Sequence, residues 1–463
     1  MRSTELCELT AQVKAEIAGP RAGTASRPRV VIVGGGFAGI HAARALKDLN
    51  VSVTLIDRRN HHLFQPLLYQ VALAVLSPAD IAQPIRSILS QQQNAEVLMD
   101  EVVGIEVAAR QLTLGSGAQM AYDYLALATG ASHSYFGHEE WAPLAPGLKT
   151  IEDALEIRRR VLLAFELAER QMLEHGKHPP LNFAVIGGGP TGVELAGAIS
   201  DIAQLFMRHD FRHIDPAKSR VLLLDGGDRL LATYPADLSA KAEEELKKLG
   251  VEVHLKSHVT AVGPGWVEAT GQRIESVVTL WAAGVQASPL GKLLGAPVDN
   301  RGCVIVDDRL NPPGLPEVFV LGDLAHLVEN GRQIPGVAQP AMQMGDHVAK
   351  IVAADLAGQP RPAFHYFDKG DMATIGRMAA VAKVEWPFKA HLSGLPAWLT
   401  WIAVHIFFLI GFRNRIFVFW TWIWTYFTFR RGARLITGDQ YLPGWQEQLD
   451  SGRVEEAGSR AAD

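Results

Sequence analysis

The chain has 463 residues, a formal net charge of −5 and apolar residues at 48% of its positions. That length predicts two or three domains with ample cores, and the mild acidity excludes nucleic acid as a general partner. The two cysteines, Cys7 and Cys303, form no Cys-x-x-Cys or zinc spacing, which excludes a disulfide framework and points to a reducing compartment.

Residues 1–27 carry Glu5, Glu8 and Glu16 and no apolar run of signal-peptide length. They read as a poorly ordered tail or short helix, with the chain expected to stay on the cytosolic side. The first strong signal is Val30–Gly39. Val-Val-Ile-Val runs into Gly34, Gly35, Gly36, Phe37, Ala38 and Gly39, with the glycines spaced Gly34-x-Gly36-x-x-Gly39. The pattern predicts a buried parallel strand, a tight turn and a helix whose N-terminus is open to a pyrophosphate. A second apolar run, Val51–Ile56, ends in Asp57, placed for the carboxylate that takes a ribose hydroxyl.

The segment from His61 to Gln70 is too apolar for a simple surface loop and too irregular for one element. A core-packed connection and a cofactor contact are both open there. Ser87 to Gln93 reads as a helix end and a polar link. Glu96–Val107 and Gln111–Leu114 read as strands. Tyr124–Ala128 is a further buried strand, and its end at Thr129-Gly130 suits a backbone turn against a nucleotide.

Thr150 and Asp153 form a capping-box pattern that opens a helix running to about His175-Gly176. The opening theme then repeats. Phe183–Ile186 is a strand, Gly187, Gly188, Gly189, Pro190, Thr191 and Gly192 form the turn, and Val193–Gly197 begins the helix. Its partner strand, Val221–Leu224, ends in Asp225. The link from Ile199 to Ser219 is longer than in the first unit and is expected to extend the helix. Two fingerprints about 150 residues apart predict two dinucleotides, one held and one visiting, an arrangement suited to electron transfer between a flavin and a nicotinamide. Asp225 accepts from a ribose and repels a 2′-phosphate, which favours NADH over NADPH, while Arg229 works in the other direction.

Val277–Trp281 is a strand ending in Ala282, Ala283 and Gly284, small residues that permit either close nicotinamide approach or tight packing of the strand end. Val304–Val306 and Val318–Leu321 are strands, and Gly322-Asp323 places a carboxylate at the carboxyl edge of a sheet. Ala338–Gln343 starts a helix with Pro340 near its first position, an N-terminus able to stabilise negative charge on a reduced flavin ring.

From Trp386 to Gly438 there is no Asp or Glu, while Lys389, Arg413, Arg415, Arg430, Arg431 and Arg434 lie in the span. Leu392–Phe412 is free of formal charge and Ile416–Phe429 follows. Trp398, Trp401, Phe408 and Phe412 fall on one helical stripe; Phe417, Trp420, Trp424 and Phe427 form another. Aromatic residues with flanking arginines compose an interfacial membrane segment. The first run is just long enough to span a bilayer of about 30 Å, so a single span competes with surface attachment, and core helices are the third reading. Past Tyr441 the chain becomes polar and acidic and is expected to be disordered.

Taken in this order, the Gly34 and Gly187 turns, Leu-Gly-Asp323 and Ala-Gln339-Pro-Ala-Met-Gln343 resemble the two-dinucleotide-domain flavoproteins. His62-Leu-Phe-Gln-Pro-Leu-Leu-Tyr-Gln70 and Asp371-Met-Ala-Thr-Ile-Gly376 narrow the resemblance to type II NADH:quinone oxidoreductases, over about residues 28 to 438. The resemblance implies an α/β fold with two Rossmann-like domains, for FAD and NADH, and a C-terminal amphipathic helical membrane-anchoring region. The expected division is a first FAD part at 28–152, an NADH domain at 153–289, a second FAD part at 290–385, membrane helices at 386–438 and a polar tail at 439–463.

The same resemblance implies residue roles. Gly34, Gly35, Gly36, Phe37, Ala38, Gly39, Asp57, Arg58, His62, Gln65, Leu67, Gln70, Val103, Thr129, Gly130, Gly322, Asp323, Gln339, Pro340 and Ala341 would contact FAD. Gly187, Gly188, Gly189, Pro190, Thr191, Gly192, Glu194, Asp225, Ala283 and Gly284 would contact NADH. Glu194 stands where the family carries a carboxylate near the nicotinamide–flavin contact; a helix-start carboxylate favoured by the dipole is the plainer reading. Gln339 and Gln343, four apart on one helix face, match the family's quinone motif, with helix capping as the alternative. Lys383 faces the quinone entrance or snorkels at the surface. The implied partners are a membrane quinone, the bilayer surface on the cytoplasmic face of the inner membrane, and a second copy of the chain. A soluble NAD(P)H–ferredoxin-type reductase and a flavoprotein that binds NADH without useful turnover are the competing functions. Disulfide reductases and sulfide:quinone reductases need cysteines beside the flavin, and Cys7 and Cys303 do not supply them.

Overall fold

The computed structural model describes residues 27–208, 210–428 and 433–445. The expectations for residues 1–26, Cys7, Phe429, Arg430, Arg431 and the acidic end lie outside the described residues, as do the side chains of Phe412 and Phe427. The chain divides into two compact units. The first is Met1–His62, Ala82–Ser132 and Val285–Asp368; the second is Leu63–Ile81, His133–Gly284 and Lys369–Asp463. Thus 63–81, 133–152 and 369–385 pack with the second nucleotide fold.

In the first unit a parallel sheet runs Val318–Val320, Tyr124–Leu127, Arg29–Val33, Ser52–Asp57, Ala95–Met99. The order puts the glycine-bearing strand at the centre, and Val30 to Val33 are buried on both faces, which is why that stretch is apolar without alternation. The Phe37–Ala45 and Ala338–Leu356 helices pack on this sheet. They cross so closely at Gly345 that a Cβ there would lie 2.3 Å from the Ala38 carbonyl oxygen.

The second unit repeats the plan. Its parallel sheet runs Val251–His254, Arg220–Leu224, Asn182–Ile186, Val278–Trp281, with the second glycine strand interior. The helix predicted from Thr150 covers Ile151–His175, closed at its start by the Thr150–Asp153 capping box and at its end by Gly176 at φ +66°. The predicted extension beyond the second nucleotide turn is a π-helical stretch, Ile202–Phe206, continuing Pro190–Asp201. A three-stranded antiparallel sheet, Gly370–Thr374, Ala380–Val384 and Ala390–Ser393, precedes the last two helices.

Those helices are Gly394–Phe408 and Phe412–Thr428, so the run 392–412 is not one helix: it begins in a strand and turns at Leu409 to Gly411. Among the described residues no helix is long and apolar enough to cross a membrane. The expected outward stripe also needs correction. Trp401 is 2% exposed, stacked on His405 at 4.1 Å and packed against Trp422 at 5.4 Å, because these rings supply the local core. On the Gly394–Phe408 helix the exposed residues are Leu395, Leu399 and Phe407; on the other helix the expected stripe holds, with Phe417, Trp420 and Trp424 exposed beside Ile416 and Phe419.

Candidate functional site

Each unit builds the same cradle. In the first, Gly34 sits at φ +106°, and a Cβ there would lie 2.4 Å from the Ala128 carbonyl oxygen, so the turn passes directly over the end of the neighbouring strand at Thr129. Gly39 lies beneath, where a Cβ would come within 1.8 Å of Gly34 O; only glycine lets the helix begin that close. Gly36 differs: it has extended backbone, and a Cβ would meet nothing within 4 Å. That is open room at a helix N-terminus, where unpaired N–H groups and the dipole favour an anion.

Asp57 closes the turn. Its Oδ2 accepts the Gly35 N–H at 2.6 Å and its Oδ1 the Arg59 N–H at 2.7 Å, so the carboxylate placed for a ribose also fixes the loop. His62 Nδ1 donates to Gly35 O at 3.0 Å; a carbonyl only accepts, so the proton is on Nδ1. Its ring meets Phe37 edge-on at 5.1 Å, and burial pushes its pKa down to about 4. The Thr129 hydroxyl and His62 Nε2 are buried with no hydrogen-bond partner. Gly130 follows at φ +65°.

Residues some 300 positions away return to this turn. At Gly322, φ +65°, a Cβ would lie 3.3 Å from that of Ala341 and 3.7 Å from that of Ala38. Asp323, the Gln339-Pro340-Ala341 helix start and Phe37-Ala38 therefore share one neighbourhood. Open room at Gly36, the unpartnered Thr129 hydroxyl and the Asp323 carboxylate together fit a dinucleotide. The surroundings of the other predicted contacts are as follows. Arg58 is exposed, 3.9 Å from Glu101, and Val103 is exposed on the Val102–Glu106 strand. Gln65, Leu67 and Gln70 belong to the second unit: Gln65 is exposed and donates to Lys149 O at 3.4 Å, whereas Leu67 and Gln70 are buried.

In the second cradle Gly187 has φ +109°, and a Cβ would lie 2.6 Å from the Ala282 carbonyl and 2.7 Å from Ala283 N. At Gly192 it would lie 1.8 Å from Gly187 O, and at Gly189 it would meet nothing. Asp225 accepts the Gly188 N–H at 2.5 Å and the Gly227 N–H at 2.7 Å. Pro190 opens the helix, where its missing N–H is no loss, and Thr191 follows half-buried. Arg229 donates to Ala232 O at 2.8 Å. Gly284, at φ +86°, has a packing reason of its own, since a Cβ would lie 2.5 Å from the ring of the exposed Phe136.

Glu194 projects from the Pro190–Asp201 helix. Part of the residue reaches the surface, but the carboxyl is enclosed by protein. Burial pushes its pKa up to about 8, against the pull of a hydrogen bond from the Thr374 N–H. Tyr234 is pushed well above its ordinary range by burial and by the charges of Asp371 and Glu194. Such an acid holds its proton near neutrality and can give or take it there.

Gln339 is half-buried at the second position of its helix. Gln343 clasps the backbone of Phe367, donating to its carbonyl at 3.0 Å and accepting from its N–H at 2.9 Å, so the structure gives this side chain a bracing task. Lys383 lies in the Ala380–Val384 strand and pairs with Glu385 at 2.9 Å, its side chain about three-quarters buried.

Sequence reasoning missed a cavity in the second unit. It encloses about 590 Å³, including its open mouth, and is lined by Tyr69, Gln70, Thr374, Trp401, Trp422 and Thr425 among others. Tyr69, Gln70 and Thr374 fall inside motifs already visible in the sequence, but no spacing brings them to Trp422. Arg158 was missed as well. It is buried and donates to Val71 O and, at 2.8 Å, to Leu76 O, bracing the end of the Leu68–Ala72 helix that carries Tyr69 and Gln70.

Two glycine-turn cradles in one chain, each closed by its own acid, define a two-dinucleotide oxidoreductase. The matching family model is the pyridine nucleotide-disulphide oxidoreductases, over residues 28–345. The type II NADH:quinone oxidoreductase Ndh of Mycobacterium tuberculosis is 44% identical over 96% of this chain and 98% of its own length. The type II NADH:quinone oxidoreductase of Haemophilus influenzae is 29% identical over 77% of this chain and 86% of its own. Among solved structures, NDH2 from Plasmodium falciparum in complex with NADH superposes with a TM-score of 0.78 at 20% identity, covering 89% of this chain and all of that one. The chain belongs to the type II NADH:quinone oxidoreductase family. The sulfide:quinone oxidoreductase of Aquifex aeolicus shares the fold, TM-score 0.67 at 20% identity. Here Cys303 is a free, buried cysteine whose thiol burial pushes up, so it offers no reactive thiolate.

Proposed function

We infer that this protein oxidises NADH and reduces a quinone through bound FAD without pumping protons, in the balance NADH + H⁺ + quinone → NAD⁺ + quinol. The observation that carries the reading is the pair of cradles of one construction, in a chain whose relatives match it along nearly its full length. Bound FAD would accept a hydride from the nicotinamide and pass both electrons to the quinone.

The residues supply the rest. Gly36 leaves room for the flavin pyrophosphate, Thr129 and Asp323 offer hydrogen bonds to its polar chain, and Asp57 faces a ribose. Gly189 and Asp225 do the same for NADH. Asp225 already fixes two backbone N–H groups, and its charge disfavours a 2′-phosphate. Arg229, close by, spends one N–H on the Ala232 carbonyl. Glu194, protonated near neutrality, is the group suited to hold a proton for quinol formation. Gln339, at the second position of its helix, is proposed to meet the quinone, while Gln343 braces the backbone of Phe367.

Peripheral attachment to the cytoplasmic face of the cell membrane is part of the proposal. Exposed Trp420, Trp424, Phe417 and Phe407, with Arg413 and Arg415 nearby and no carboxylate from Trp386 to Gly438, suit an anionic lipid surface. A second copy meeting the same face is the competing occupant, and co-sedimentation with vesicles against light scattering separates the two. A soluble ferredoxin-type reductase would leave these rings without purpose. Anaerobic mixing tests the chemistry: NADH should bleach the flavin, and a short-chain quinone should restore its colour. Bleaching without recovery sinks the quinone assignment.

A further inference from the structure

Four buried side chains from three elements of the second unit form one line of hydrogen bonds. Trp422, on the inward side of the Phe412–Thr428 helix, donates Nε1–H to Gln70 Oε1 at 2.7 Å. Gln70 Nε2 donates to the Tyr69 hydroxyl oxygen at 3.0 Å. The Tyr69 and Thr374 hydroxyls are 2.9 Å apart. The backbone N–H of Thr374 is the one that reaches Glu194. Tyr69 is 8% exposed, Gln70 7%, Thr374 2% and Trp422 4%.

The links from Trp422 through Gln70 to Tyr69 have a fixed direction. An indole N–H can only donate, so the Gln70 oxygen must face Trp422 and its amide nitrogen must face Tyr69. Tyr69 then accepts from Gln70, and either hydroxyl of the Tyr69–Thr374 pair can donate to the other. Reversing the Gln70 amide requires breaking the Trp422 bond and leaving a buried polar group unpaired, which is costly. An amide is a poor conductor of protons, so the line orients groups rather than carrying charge. Its two ends differ in setting. Trp422 shares a helix with the exposed Trp420 and Trp424, while Thr374 touches the acid that holds its proton near neutrality. Arg158 pins the helix in between.

We propose that Trp422 and Tyr69 are positioning residues through which the seating of the C-terminal helix pair sets the orientation of the Thr374–Glu194 contact, and so the rate of the quinone step. The proposal rests on the quinone-reductase reading above. Tyr234, ahead of the Ala236–Lys248 helix, feels the charges of both Glu194 and Asp371, the latter on the Gly370–Thr374 strand.

The test uses the FAD-loaded enzyme as wild type, Trp422→Phe, Tyr69→Phe and the double variant. Tyr69→Phe keeps the ring and removes one hydroxyl; Trp422→Phe removes the indole N–H together with part of the ring system. Flavin bleaching by NADH and reoxidation by a short-chain quinone are timed separately, with and without anionic vesicles. Each single variant should lower kcat with quinone about fivefold, the worth of one well-placed hydrogen bond. Bleaching and KM for NADH should be unchanged. Any acceleration by vesicles seen in the wild type should be lost in both singles. The double variant should be no slower than the slower single, because a line broken twice is broken once. Additive losses, equal loss of both half-reactions, or wild-type rates in both singles overturn the proposal. If Trp422→Phe fails to retain FAD, Tyr69→Phe alone carries the test through the split between kcat and KM. A wild type that no quinone reoxidises would instead sink the functional reading, and the two failures are distinct.

Discussion

Buried ionisable groups make Glu194, His62 and His405 the residues most sensitive to pH. The Glu194 carboxyl is raised from 4.5 to about 8, so the folded state keeps a proton that the unfolded chain releases. The stability this favours is fully present below about pH 4.5 and is lost as pH rises through about 8. Glu194→Gln should therefore raise the melting temperature at pH 8 relative to wild type and change it little at pH 4.5, read by thermal unfolding at both values. The histidines act in the opposite sense. His62 and His405 are lowered from 6.5 to about 4 by burial, so their contribution is present above pH 6.5 and is lost as pH falls through about 4. His405→Phe should flatten the loss of melting temperature between pH 6.5 and 4; an unchanged slope would show that His405 does not cause it.

At the scale of elements, the glycine turns separate two duties that a sequence pattern merges. Gly39 and Gly192 are needed by the protein itself, since a Cβ would strike a carbonyl oxygen at 1.8 Å. Gly36 and Gly189 are not, since their backbones are extended and their surroundings open. Gly189→Ala should thus leave the melting temperature of the NADH-free protein unchanged while raising KM for NADH on the order of tenfold, about 1.4 kcal/mol. Gly192→Ala should lower the melting temperature. Steady-state kinetics and thermal unfolding read the pair, and equal behaviour of the two variants would refute the division. The Thr150–Asp153 box is a purely local device, visible in four consecutive residues; Thr150→Ala should cost about 1 kcal/mol in denaturant unfolding. The C-terminal helices show where element-level reading stops. Helical periodicity groups Trp398, Trp401 and Phe408 on one stripe, but it does not say which stripe turns inward. Trp401 and Trp422 meet each other and His405, so that face is the core and the opposite one is exposed.

For the whole molecule, the proposed membrane attachment rests on the outward rings of the last two helices. Trp420→Ser with Trp424→Ser should weaken co-sedimentation with anionic vesicles while leaving NADH bleaching of the flavin intact. Raising salt should weaken the residual binding further, since the arginine attraction is screened. Vesicle binding unchanged by the double substitution would assign that face to another partner. Three interruptions of the chain order also belong to this scale. Residues 63–81, 133–152 and 369–385 pack with the second nucleotide fold, although they lie next in sequence to parts of the first. Contiguity in sequence suggests otherwise, because a linear division cannot show a chain that leaves one unit and returns.

The amino-acid sequence by itself determined the two strand–turn–helix units, their acids Asp57 and Asp225, the Thr150 helix start and the aromatic, acid-free end. Each rests on short-range chemistry: glycine spacing, a carboxylate at a strand end, a capping hydroxyl, local composition. Tertiary structure alone decided what Glu194, Gln343, Lys383 and Gln70 face. Burial raises Glu194 to about 8, Phe367 takes Gln343, Glu385 takes Lys383, and Trp422 orients Gln70 from 352 residues away. Desolvation and hydrogen-bond partners at such separations depend on which segments pack together, and no local pattern encodes that choice.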